Sequence, residues 1–174
     1  MEALDCLVAS SVARRIRGLT LLAELEDPDL FEWCVMYLED EATEVRVAAL
    51  RTMLLAEEGD TEIIEPLVGS DDRRIRGAAV AAMARHSEAD APRWFERGLR
   101  DRAVCVRLET AALLSRLDPV EHRLLFELAL ADSNDQVVRI AQKLTAGKGF
   151  GSVERALAWS WAPRTSRPSR NDFR

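Results

Sequence analysis

Two histidines, His86 and His122, and three cysteines, Cys6, Cys34 and Cys105, are the side chains best suited to nucleophilic or metal chemistry in this chain of 174 residues. A serine or cysteine nucleophile needs a histidine beside it and an acid to orient that histidine. Neither histidine adjoins a cysteine, and the chain has no HExxH or GxSxG arrangement. A zinc centre needs four converging ligands, and these five scattered residues have no such spacing. His86 falls near the end of a helical stretch, where a cation is a favourable dipole partner. Residues 147–151, GKGFG, lack the preceding strand and the GxxxxGK[ST] order of a phosphate loop, and read as a helix end plus a turn. The acidic pairs Glu57/Glu58 and Asp71/Asp72 read as solvated turn residues. The expectation is a non-catalytic protein with no metal and no cofactor.

The composition points to helices as the elements that position whatever site exists. Aromatic residues are 6% of the chain and the hydrophobic fraction is 48%, with Ala, Leu, Arg and Glu dominant. That balance excludes a β-sandwich. No apolar run approaches the ~18 residues of a membrane span. Asp5 interrupts the apolar start, and Arg14, Arg15 and Arg17 follow it instead of preceding it, so no signal peptide is expected. An odd number of cysteines without CxxC reads as reduced, buried thiols in a cytoplasmic protein. Residues 162–174, APRTSRPSRNDFR, carry four arginines against Asp172; removing their +3 from the total of -6 leaves the remainder at -9. Rich in Pro and Ser and without apolar periodicity, this segment reads as a disordered basic tail behind a domain spanning 1–161. An acidic body is a poor partner for nucleic acid, because that association rests on neutralising phosphates.

The chain repeats itself. A β-branched residue followed by arginine recurs at Ile16-Arg17, Val45-Arg46, Ile75-Arg76, Val106-Arg107 and Val138-Arg139, with steps of 29, 30, 31 and 32. Each pair opens an Ala- and Leu-rich helical stretch, and shorter apolar segments lie between: 29–39, 61–69, 91–100, 119–131 and 150–161. A helical hairpin of ~30 residues has too little core to stand alone, so successive hairpins must stack. The fold expected is all-α, a right-handed α-solenoid (superhelix) of about five hairpins, with the last helix, bearing Trp159 and Trp161, capping the open end or serving as a second contact. Trp33, Tyr37, Trp94 and Phe95 on the shorter helices read as interlayer packing.

The spacing of Asp40 to Arg46 and of Asp101 to Arg107, within D-x(4)-[VI]-R-x(2)-[AT], resembles the HEAT repeat, and more narrowly the short Ala-rich bacterial variety also found in phycobilin lyases. The resemblance covers roughly residues 10–147 and departs from the pattern at Ser10 and Ser11, where Asp is expected. It implies a ladder of Asp–Arg hydrogen bonds running between repeats, carried over here to Asp40, Arg46, Arg76, Asp101, Arg107 and Arg139. It also implies a scaffold or adaptor that binds a protein or peptide. The alternative is a bilin-lyase-like or chaperone-like subunit holding a chromophore or client.

Helical geometry assigns the faces. Counting from the β-branched residue as 0, positions 0, 4, 7 and 8 form the face that packs on the shorter helix. Positions 2, 5, 6 and 9 point elsewhere yet stay mostly apolar. Position 2 is Val47, Gly77, Leu108 and Ile140, and position 5 of the second copy is Leu50. Position 6 is Arg51, Ala81, Ala112 and Leu144, and position 9 is Leu54, Ala84 and Ser115. An apolar strip on a layer that should be solvated reads as a partner-binding groove; tight curvature burying part of it between repeats is the competing reading.

Overall fold

The structure, a computed structural model, describes residues 2–57 and 59–146. The described residues form helices and connecting turns, with no strand among them. The chain divides into two compact units, Met1–Thr110 and Ala111–Arg174.

In the first unit the elements are α1 (Glu2–Leu7), α2 (Val12–Glu24), α3 (Leu30–Met36), α4 (Thr43–Thr52), α5 (Thr61–Ile64), α6 (Arg73–His86) and α7 (Ala91–Leu99). The helix α8 (Val104–Leu113) runs across the division. Single 3₁₀ turns extend α4 through Met53–Leu55 and α5 through Glu65–Gly69. The second unit adds α9 (Arg123–Leu130) and α10 (Asp135–Thr145), which pack on each other. The long helices α2, α4, α6, α8 and α10 are the five stretches expected from the repeat. The shorter α3, α5, α7 and α9 fall in four of the expected intervening segments. The fifth segment, the Trp159 and Trp161 helix, and the 162–174 tail lie outside the described residues, as do 147–151.

Local chemistry sets the helix ends. Asp60, Asp72 and Asn134 accept backbone N–H groups of the first turns of α5, α6 and α10, which satisfies donors that a helix start leaves free. The end of α2 closes as a Schellman motif: the Asp27 amide donates to the Leu22 carbonyl and the Glu26 amide to the Ala23 carbonyl. Its left-handed residue is Glu26, at φ 51°, where glycine is usual.

Within the first unit α2 packs against α4 and α4 against α6, in chain order. The face of positions 0, 4 and 8 is buried as expected: Val45, Ala49 and Met53 on α4, Ile75, Ala79 and Met83 on α6. α6 is buried continuously from Ile75 to Met83. A helix apolar on every side belongs to a core, and its run of alanines lets neighbouring helices approach closely. Trp94 and Phe95 are buried on α7, in keeping with interlayer packing.

Three expectations need correction. α1, which the repeat did not foresee, packs on α2. Gly18 permits that approach, since a Cβ there would stand 2.9 Å from the Leu7 backbone nitrogen. The first repeat is also in a different register: Arg15, not Arg17, is its buried arginine, and Arg17 is an exposed partner of Glu24. With Arg15 aligned to Arg46 and Arg76, the buried Leu19, Leu50 and Val80 coincide, as do Leu22, Met53 and Met83. Finally, Cys6 and Cys34 are buried free thiols but Cys105 is exposed. Burial pushes the Cys34 thiol up to about 12, so it stays protonated and unreactive.

Candidate functional site

The charged residues singled out by the repeat build a scaffold. Arg15 Nε and Nη2 donate to the two oxygens of Asp40 at 2.8 Å each, while Nη1 donates to the carbonyls of Ala9 and Ser10. Arg76 repeats the arrangement on Asp101 at 2.7 and 2.9 Å, with Nη1 on the carbonyls of Ser70 and Asp71. Each aspartate also accepts the amide two residues on, from Ala42 or Ala103. Burial opposes ionisation of Asp40 and Asp101, but the guanidinium and amide donors outweigh it and hold both carboxyls below the usual range.

The rungs thus differ from those expected. Asp40 takes Arg15 rather than Arg46, and Asp101 takes Arg76 rather than Arg107. Each arginine reaches 25 residues forward, to the loop that opens the next long helix. Arg107 Nη1 donates to the Asp101 backbone carbonyl, and Arg139 is exposed. Arg46 bonds Thr43 Oγ1 and leaves its buried Nε without a partner among the described residues. The register explains why: the acceptors lie six residues before Arg46 and Arg107, and the same place before Arg76 is Ser70. Ser70 Oγ accepts the Asp72 amide as Asp40 and Asp101 accept theirs, but it brings no carboxylate. Ser70→Asp is therefore expected to complete the rung and raise the melting temperature by roughly 2–4 °C, about 1 kcal/mol. Thermal unfolding with the Ser70→Ala variant as control measures it.

The apolar strip is largely closed. Val47, Leu50, Gly77 and Ala81 are buried, which removes them from any open groove. A Cβ on Gly77 would stand 3.7 Å from Val106 Cγ2 and still nearer the Glu109 carboxylate. Position 2 thus faces the next long helix, at a seam between repeats. Leu54, Ala84 and Leu108 are half-buried, as are Ile140 and Leu144 on α10. Only Arg51, Ala112 and Ser115 are exposed, and Arg51 pairs with Glu109 at 3.1 Å.

A concave feature of the first unit lies elsewhere, between the α2–α3 turn and the α4–α5 turn, as a groove of about 990 Å³. Its floor holds the buried Leu30, Phe31 and Ala56, and its walls the exposed Leu55 and Ile63. Glu26, Asp27, Glu32, Glu57 and Asp60 surround that apolar surface, and among the described residues no lysine or arginine lines it. His86 buttresses the groove behind Phe31 and Gly59. Its Nε2–H donates to the Met53 carbonyl at 2.8 Å, and its ring meets Phe31 edge-on with centroids 5.8 Å apart. The ring also lies where a side chain at Gly59 would go, 2.7 Å from that Cβ. His86 is thus a packing and hydrogen-bonding residue. His122 precedes α9 and stands 4.0 Å from Glu121.

No protein-family model matches the chain, and no curated protein sequence matches it. Among the described residues no three His, Cys, Asp or Glu side chains converge as a metal site. No described helix is long and apolar enough to cross a membrane. The groove itself was missed in the sequence, although a signal existed. Glu26 and Glu57 are 31 residues apart, as are Asp29 and Asp60 and as are the aligned Arg15 and Arg46. Stacking at that period sets two acidic turns side by side.

Proposed function

We propose that the protein is a non-catalytic interaction module, a HEAT-like right-handed α-solenoid that acts as an adaptor or scaffold for a protein or peptide. One observation carries the reading. Hairpins joined in register by Arg15–Asp40 and Arg76–Asp101 leave, between successive turns, a groove with apolar surface open to solvent. Stacked hairpins generate such surfaces at every step, and concave apolar surface bordered by polar groups is what partners cover. On this reading α8 and α10 are further long helices of the same repeat. Burial of Val47, Leu50, Gly77 and Ala81 leaves little apolar strip for a chromophore or an unfolded client, which weighs against the lyase-like or chaperone-like alternative.

In-cell crosslinking of the full chain, followed by calorimetry with the purified partner it identifies, tests the proposal. The expected result is a saturable protein complex. Recovery of only nucleic acid or a small molecule as the stoichiometric ligand would count against it.

A further inference from the structure

We infer that the groove between the α2–α3 and α4–α5 turns takes an arginine-rich peptide segment of a partner protein, anchored by bulky apolar side chains. This rests on the interaction-module reading and names the chemistry of its partner.

The argument starts from charge. Among the described residues, five carboxylates line the groove and no cation does. None of Glu26, Asp27, Glu32, Glu57 and Asp60 has an ion-pair partner among the described residues, whereas the neighbouring Glu24 is paired with Arg17. Asp27 and Asp60 are partly engaged, accepting the amides of Asp29 and Glu62. Glu26, Glu32 and Glu57 are exposed and accept no hydrogen bond among the described residues. Like charges gathered on low-dielectric walls reinforce one another's potential and attract a polycation.

The apolar part of the groove defines the rest of the ligand. Leu55 is 68% exposed and Ile63 39%, and the two stand beside the Phe31 and Leu30 floor. Free cations such as spermidine match the rim but leave that surface wet. A peptide with arginines and large apolar residues matches both, its guanidinium groups pairing with the rim carboxylates while leucine or tryptophan covers the floor. The rest of a second copy, at -9 without residues 162–174, would bring like charge to the groove, and so would nucleic acid.

The probe is a fluorescein-labelled synthetic peptide alternating arginine with leucine and tryptophan, titrated into the full chain by fluorescence anisotropy. Saturable binding is expected. It should weaken about tenfold in the triple variant Glu26→Gln, Glu32→Gln, Glu57→Gln, and also when salt is raised from about 50 to 500 mM. Those three glutamates accept no hydrogen bond among the described residues, and circular dichroism verifies that the variant folds. Leu55→Ser should weaken the probe severalfold, and an arginine–glycine peptide of equal charge should bind correspondingly less. Equal affinity for wild type and triple variant would overturn the inference, as would equal affinity for the arginine–glycine peptide. It would also be overturned if replacing Arg164, Arg167, Arg170 and Arg174 with glutamine raised the probe's affinity about tenfold, because the chain's own basic residues would then be the occupant. A partner found by crosslinking that binds the triple variant unchanged would refute this site while leaving the interaction module standing.

Discussion

Val47→Glu is expected to unfold the protein, or to lower its stability by about 4 kcal/mol or more. Val47 is 7% exposed within the same apolar cluster as Leu50, Met53 and Ala79. A carboxylate there would have to ionise largely out of water, with Arg51 one turn on already paired with Glu109, or be buried protonated with an unmatched hydroxyl. Either state costs far more than the lost methyl contacts. Ala84→Glu supplies the contrast, because Ala84 is half-buried near the end of α6 and a longer side chain can carry its charge outward. Its cost should stay near 1 kcal/mol. Urea unfolding of the two variants measures the difference. Equal and small effects would mean that position 2 is an open surface, as the sequence pattern first suggested.

Asp101→Ala should lower stability by about 2 kcal/mol, near 5 °C in melting temperature. It leaves Arg76, 6% exposed, with two backbone carbonyls but no carboxylate, and it frees the Ala103 amide. Asp71→Ala is the control. Asp71 is solvated and only 3.8 Å from an exposed Arg102, so its loss should change little. Equal melting temperatures would show that the rung contributes nothing. The same pairing sets a pH dependence. Asp40 and Asp101 have folded pKa values below their unfolded ones. Their contribution is therefore complete above the ordinary carboxylate range near pH 4, and it is lost as pH falls through the folded values. Acid unfolding of Asp101→Asn should lack part of that slope.

Helix type and period were legible in the sequence because both are local. Ala- and Leu-rich stretches recurring at 29 to 32 residues can bury an apolar face only as helices. The face bearing Val45, Ala49 and Met53 follows from 3.6 residues per turn. The aspartates of the rungs were legible too, because Asp40 and Asp101 stand at one place in the repeat. Their partners were not, since a hydrogen bond from a helix arginine to a loop aspartate 25 residues on depends on how one hairpin lies on the next. The same dependence hid the shift from Arg17 to Arg15. It also hid the closure of Val47 and Gly77: a helical wheel shows which residues share a face, but not whether that face meets water or another helix. The acidic groove was decided entirely at this level. Glu26, Asp27, Glu57 and Asp60 belong to two turns and Glu32 to the first turn of α3, and only the packing of α2 beside α4 sets those charges around one apolar floor.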